Sequence, residues 1–199
     1  MQPVFIGSEA LASGALTRAT LRWNYRRLFP DVYTSAPASL RVRTIGAWLW
    51  TQRNGIVAGR AAAALHGARW VGERVPIEMI WKCGRPPPGV IARNERIAAD
   101  ELTQIAGLLV TTPERTALDL ARHLPRNRAV IHLDALAQAT EVKAVDVLTL
   151  AQRYPGALIE RCGWFDLRVV KEHSSDFIKH RVLQAFQRRG YPPTLRRRS

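Results

Sequence analysis

The apolar positions of the first part of the chain predict two short helices followed by a β-hairpin. Counted along the sequence, these elements fall at residues 8–12, 17–27 and 27–34. A Ser–Gly pair separates the two helices, Leu21 and Trp23 supply apolar contacts, and Pro30–Asp31 is the hairpin turn. Thr17 is suited to cap the second helix.

Residues 40–153 switch between helical and strand periodicity. Helices are predicted over 40–53, 60–66, 113–124, 126–139 and 144–153, strands over 76–82 and 90–93, and a hairpin around 105–110. The segment 111–114, Thr-Thr-Pro-Glu, is the clearest helix start because a Thr cap, an early Pro and an early Glu all favour initiation. Ile77, Met79 and Trp81 alternate, so we expect a half-buried strand there. The sequence therefore predicts an α+β fold, with a small sheet and helices gathered beside it.

The sequence changes character beyond Gly156. A strand over 164–170 and an amphipathic helix over 176–186 are predicted, followed by a basic, disordered tail over 191–199. One strand and one helix cannot bury a core by themselves. We therefore expect them to pack on the preceding body or on another chain.

Charge is the feature of the composition that departs most from the average. The 199 residues carry a net charge of +14, and residues 1–150 and 151–199 each contribute +7. A polyanionic partner, with nucleic acid first, is the natural expectation. A coding preference for arginine also raises the basic count, but it explains the shortage of acidic residues less well.

Other compositional features exclude whole classes of protein. No stretch reaches the roughly 18 apolar residues of a membrane helix, and the N-terminus lacks a basic, then apolar, signal segment. A cytoplasmic protein without membrane contact is therefore expected. Cys83 and Cys162 are too few for a disulfide framework or a zinc cluster, and we interpret both as inert thiols.

The candidate DNA-binding residues lie in the first 43 positions. Arg18, Arg22 and Arg26 are four apart, so a helix over 17–27 would place them on one face. Guanidinium groups in such a row suit phosphate contacts, with one or two base contacts. The full set of predicted DNA-binding residues is Thr17, Arg18, Arg22, Arg26, Arg27, Arg41 and Arg43. The alternative is a solvated helix face.

Three segments together resemble a known family. The segments 59–67 (GRAAAALHG), 107–121 (GLLVTTPERTALDLA) and 133–136 (LDAL) are similar to actinobacterial proteins related to the AbiEi antitoxins of type IV toxin–antitoxin systems. The resemblance implies a winged-helix-like DNA-binding segment at 1–38 and an AbiEi-like α+β body at 39–156. It implies double-stranded DNA as a partner, together with a nucleotidyltransferase-like toxin or a second copy held through the C-terminal strand.

Residues 157–190 resemble the last strand and helix of a very-short-patch-repair endonuclease of the PD-(D/E)XK type. The central strands and the metal-binding acids of that domain are missing between Gly156 and Leu158. A truncated remnant is therefore expected, with no catalytic residue, no metal and no cofactor. The alternatives are a residual endonuclease that depends on Asp166, and a scaffold remnant without activity.

The remaining polar motifs have structural interpretations. Glu141-Val142-Lys143, with Asp134 upstream, fits D/E-x-K but falls on a helix and a helix–helix connection, where metal-dependent cleavage is not expected. Asp119 is expected to form a buried ion pair with Arg115 or Arg122. His66 closes the alanine-rich helix and is interpreted as a partner of the helix dipole.

Overall fold

The computed structural model describes residues 3–154 and begins with a small antiparallel sheet flanked by two helices. Its elements in chain order are β1 (Val4–Ile6), α1 (Gly7–Ala12), α2 (Arg18–Asn24), β2 (Arg26–Phe29) and β3 (Val32–Thr34). The strands are ordered β1-β3-β2, and both pairings are antiparallel. The predicted hairpin is confirmed, with Asp31 in the left-handed region at φ 59° in its turn. The strand β1 was not predicted.

A single helix joins the small sheet to the rest of the described chain. Helix α3 (Leu40–Trp50) begins at Ser39, whose side chain accepts a hydrogen bond from the Val42 N–H. One hydrophobic cluster includes Val4 and Phe29 of the small sheet, Ala47 of α3, and Met79 of the sheet that follows. The two sheets therefore share a core through α3.

The second sheet has five strands in the order β6-β5-β4-β8-β7. Its elements, with the helix that follows β4, are β4 (Ile56–Ala58), α4 (Gly59–Leu65), β5 (Ile77–Ile80), β6 (Val90–Arg93), β7 (Leu102–Ile105) and β8 (Leu108–Thr111). The β4–β5 and β7–β8 pairs are antiparallel, and the β5–β6 and β4–β8 pairs are parallel. The central strand β4 was not predicted, because it has only three residues and no alternation.

The expected half-burial of β5 is wrong, because both faces of this strand are covered. Glu78, on the face predicted to be exposed, is only 2% exposed. Its carboxylate lies 2.8 Å from Arg60 Nε and 3.3 Å from Arg93 Nη2. Two guanidinium groups therefore compensate a carboxylate that sits inside the fold.

Three further helices pack beside the sheet, as expected of an α+β fold. They are α5 (Pro113–His123), α6 (Arg126–Ala139) and α7 (Ala144–Ala151). Thr112 caps α5 by accepting a hydrogen bond from the Arg115 N–H at 3.3 Å, which confirms the predicted helix start. A second hydrophobic cluster joins Ala63 of α4 to Leu118, Leu136 and Leu150 of these helices.

Within residues 3–154, none of the helices is long and apolar enough to cross a membrane. The predicted strand over 164–170, the helix over 176–186 and the basic tail lie outside the described residues.

Candidate nucleic-acid interface

Helix α2 turns most of its surface to solvent. Leu21 is its one buried residue, whereas Arg18, Arg22 and Trp23 are exposed. Thr17 caps the helix: its Oγ1 accepts a hydrogen bond from the Thr20 N–H at 3.1 Å. A short helix anchored by a single apolar side chain thus presents two arginines and a tryptophan outward.

The expectation that Arg18, Arg22 and Arg26 share one helical face is wrong for Arg26. Helix α2 ends at Asn24, and Tyr25 adopts an extended conformation. The chain must extend there because Arg26 and Arg27 pair with Thr34 and Tyr33 in the small sheet. Arg26 and Arg27 therefore project from strand β2, directly after the helix, and both are exposed.

The two predicted residues on α3 differ in their surroundings. Arg41 is exposed in the first turn. Arg43 Nη2, in contrast, donates hydrogen bonds to the backbone carbonyls of Glu73 and Val75, the latter at 2.8 Å. Burial lowers the pKa of Arg43 from its ordinary value. Arg43 thus ties α3 to the loop after α4, and its guanidinium is not free for an external ligand.

Acidic residues are scarce in the first 53 positions of the chain. The first 53 residues contain seven arginines and two acidic residues, Glu9 and Asp31. Glu9 forms a bidentate pair with Arg53, with both N–O distances 2.7 Å. Asp31 accepts hydrogen bonds from the backbone and side chain of Ser8 at the start of α1.

Within residues 3–154, no carboxylate lies within 4.0 Å of the arginines that we group as the cationic surface: Arg18, Arg22, Arg26, Arg27 and Arg41. Two of these side chains make long hydrogen bonds to the backbone: Arg26 Nη2 donates to the Ala36 carbonyl and Arg27 Nε to the Phe29 carbonyl, each at 3.4 Å. Five uncompensated guanidinium groups leave this part of the molecule positive.

Trp23 also lies on this surface, and the prediction made for it is wrong. It was expected to supply an apolar contact, but it is 78% exposed. The Arg22 guanidinium lies 5.6 Å from the centre of its ring. The helical repeat of the sequence already indicates this exposure. Trp23 is two residues from buried Leu21, or about 200° around the helix, so the two side chains lie on nearly opposite faces.

A second group of charges lies inside the body, around Arg115. Its side chain is fully buried and contacts Glu101 at 2.6 Å, Asp119 at 2.9 Å and Glu95 at 2.9 Å. Tyr154 accepts a hydrogen bond from Arg115 Nη1 at 2.8 Å, and Arg122 contacts Glu95 at 3.0 Å. The predicted buried ion pair of Asp119 is therefore confirmed, with Arg115 as the partner.

This cluster holds its charges in unequal environments. Hydrogen bonding from His123, together with the neighbouring guanidinium groups, lowers the pKa of Glu95 to about 2. Burial raises the pKa of Asp119 to about 6, and burial with the Glu101 hydrogen bond raises that of Tyr154 to about 12.

Ligand atoms of Glu95, Asp119 and His123 lie within 4.8 Å of one another, which is close enough to share a cation. Two guanidinium groups already supply positive charge to these carboxylates. We therefore interpret the cluster as an internal ion-pair network.

The other singled-out residues lie in structural positions. Glu141 and Lys143 fall in the connection between α6 and α7, as predicted, and Asp134 on α6 accepts a hydrogen bond from Gln138 at 2.8 Å. His66 follows α4 directly, and its Nε2 lies 2.7 Å from the Thr111 carbonyl, so it bridges α4 to the end of β8. Cys83 is a free thiol. Asp166 and Cys162 lie outside the described residues.

Comparison with known proteins finds a family match for the part of the chain that follows the cationic surface. Residues 54–165 match the family model described as the AbiEi antitoxin C-terminal domain. This range is more than half of the chain, which therefore belongs to the AbiEi antitoxin family. No curated protein matches the chain.

The family match covers the five-stranded sheet and helices α4 to α7, whereas the cationic surface precedes it. It does not favour the endonuclease alternative. Any further assignment for the first 53 residues rests on their own geometry.

Proposed function

We propose that the protein is a DNA-binding antitoxin whose first 53 residues bind a duplex through the cationic surface. The observation that carries the proposal is the group of five exposed arginines without a carboxylate within 4.0 Å among residues 3–154. Phosphate neutralisation by such groups supplies most of the sequence-independent affinity for DNA. The net charge of +14 adds a long-range attraction of the same sign.

The architecture of this segment suits the proposal. Strand, helix, helix and hairpin, with the strand order β1-β3-β2, correspond to a winged helix without its first helix. In helix-turn-helix proteins the second helix of the motif enters the major groove. Here that helix is α2, which directs Arg18, Arg22 and Trp23 outward.

The hairpin itself has a limited part in the proposal. Its turn is Pro30–Asp31, and Asp31 is bound to Ser8 at the start of α1. This hairpin, which would be the wing of a winged helix, is too short to extend along the duplex. Arg26 and Arg27 instead project from β2 beside α2 and are suited to phosphate contacts that fix the orientation of the helix.

The test is a salt-dependence series on the Arg18→Ala/Arg22→Ala/Arg26→Ala variant. The probes are the duplex upstream of the protein's own gene and an unrelated duplex of equal length. Each lost phosphate contact lowers the slope of log K against log salt by about 0.9, so we expect a reduction of up to about 3. Arg53→Ala is the matched control, because Arg53 is already paired with Glu9.

The proposal fails if the triple variant binds both duplexes as tightly as the unmodified protein. The antitoxin role is tested separately, by growth on co-expression with a nucleotidyltransferase-like toxin, the partner that the family resemblance implies. Rescue by the triple variant together with lost DNA binding would separate the two activities.

A further inference from the structure

A cavity of about 320 Å³ lies apart from α2, between the first turns of α3, helix α4 and the loop that follows α4. Its walls include Leu40, Ala61, Ala64, Leu65 and Val71, with Trp70 and Arg41 also lining it. We call this cavity the Trp70 groove. Most of its lining residues are apolar, but Arg41, Thr44 and Glu73 also line it, so polar and apolar atoms contribute about equally to its exposed wall. Its size suits one or two large side chains.

Trp70 is presented at this groove in an unusual way. It is 84% exposed and has φ 66°, in the left-handed region that bulky residues rarely adopt. That conformation is unfavourable for a side chain with a Cβ atom. A strained residue that nonetheless exposes a large apolar side chain is a reason to look for a binding role.

The loop that carries Trp70 is held at both ends. On one side the Ala68 N–H donates to the Ala63 carbonyl at 2.9 Å. On the other side Arg43 Nη2 donates to the Val75 carbonyl at 2.8 Å, and the Leu40 N–H donates to Glu73 Oε2 at 2.6 Å. The ends of the loop that carries the indole are therefore held in place, which reduces the backbone entropy lost on binding.

The charge around the groove selects the occupant. Arg41, Arg69 and Arg74 are exposed, and none has a carboxylate within 4.0 Å in the described part of the chain. Glu73, the acidic residue of the loop, is occupied by the first turn of α3. A second copy of this chain carries the same net charge of +14, so it complements these arginines less well than an acidic segment does. A duplex has its bases stacked and paired and offers no apolar side chain to fill the groove.

We propose that the Trp70 groove binds an acidic segment of a partner protein, with an aromatic or branched aliphatic side chain of that segment inserted beside Trp70. The inserted side chain would contact the apolar walls, and flanking carboxylates would lie near Arg41, Arg69 and Arg74. Aromatic anchors of this kind carry much of the energy of protein interfaces. The groove shares Arg41 with the cationic surface, whereas its other lining residues lie outside that surface.

The test is selection from a phage-displayed library of random dodecapeptides on the full chain, with counter-selection on Trp70→Ala. We expect enriched peptides that combine Asp or Glu with a large apolar residue. Their affinity, measured by fluorescence anisotropy, should fall at least about tenfold for Trp70→Ala. Trp23→Ala is the matched control, since it removes an equally exposed tryptophan elsewhere, and should leave the affinity within about twofold.

A second variant guards against an indirect effect of Trp70→Ala on the loop. Ala64→Leu fills the groove from α4 and leaves Trp70 in place, so it should also weaken the selected peptides, with circular dichroism confirming the fold. Three outcomes overturn the proposal: no enrichment over the Trp70→Ala counter-selection, enriched peptides without acidic residues, or a thymidine oligonucleotide that displaces the peptide in a Trp70-dependent way.

The peptide and DNA experiments are separable. The Arg18→Ala/Arg22→Ala/Arg26→Ala variant should retain peptide binding, and Trp70→Ala should retain duplex binding. A failure of either activity therefore leaves the other interpretable.

Discussion

Arg115 is the residue whose removal should damage the fold most. Arg115→Met keeps an unbranched side chain of similar length but removes the guanidinium that contacts Glu101, Asp119 and Glu95. Glu101 and Asp119 are each only 2% exposed, so both carboxylates would stay buried without their cation. Removing one partner of a buried pair costs about 3–5 kcal/mol. That is a large fraction of the 5–15 kcal/mol typical of a domain.

The assay is urea unfolding followed by far-ultraviolet circular dichroism at pH 7 and pH 5. Arg122→Met is the matched control: the Arg122 pair with Glu95 is partly exposed, so its loss should cost about 1 kcal/mol or less. Arg115→Lys keeps the charge with fewer donors and should fall between the two.

The stability lost in Arg115→Met should depend on pH through the protonation of Asp119. The pKa of Asp119 is about 6 in the folded protein, above its ordinary value, so between these values the folded state binds the proton more readily than the unfolded state. Loss of the Arg115 cation raises this folded-state pKa further. Protonation between pH 7 and pH 5 therefore stabilises the variant more than the unmodified protein, and the stability deficit should shrink at pH 5. A deficit below about 1 kcal/mol at pH 7, or one of equal size at both pH values, would refute the reasoning.

Two further predictions concern close packing and the cationic surface. Gly59 has φ 57°, and a Cβ there would lie 2.6 Å from the Glu78 carboxyl carbon, so Gly59→Ala should destabilise the fold by about 2–4 kcal/mol. Gly107→Ala is the control, because Gly107 has φ 78° and a Cβ there would have no atom within 4 Å. It should lose only about 1–2 kcal/mol, which is what a left-handed backbone costs a residue with a Cβ. Equal losses of stability for the two variants in urea unfolding would contradict this explanation. Trp23→Ala should weaken duplex binding without changing the slope of log K against log salt, whereas Arg22→Ala should reduce that slope by about 0.9. A changed slope for Trp23→Ala would mean that this tryptophan acts through the neighbouring charges.

The sequence predicted those elements whose start and period are encoded locally. Helix α5 is an example, since Thr112 and Pro113 determine its beginning without help from distant residues. Strands β1 and β4 were missed because three residues show no period, and their extended conformation depends on partners such as Thr34 and Met79. The pairing of β2 with β3 likewise ends α2 before Arg26, against the helical spacing of its arginines.

The burial of Glu78 was also beyond local reasoning. A polar residue that alternates with Ile77 and Met79 indicates a solvent-facing side, and that inference fails only when distant cations cover the carboxylate. Arg60 and Arg93 do so from 18 and 15 residues away. Asp119 was predicted correctly because its cation is four residues away on the same helix.

The shortage of acidic residues in the first 53 positions, more than the number of arginines there, supports the proposed DNA binding. A coding preference for arginine would raise the basic count throughout the chain without removing acids from one region. In the body, buried or partly buried acids hold arginines: Glu78 binds two, and Glu95, Glu101 and Asp119 surround Arg115.

The first 53 residues hold only Glu9 and Asp31, and both are engaged away from α2. Adding acids opposite Arg18 or Arg22 at the spacing of helical pairs would stabilise α2 as an isolated helix. The absence of such acids from an exposed helix that carries two arginines fits a surface that binds a polyanion.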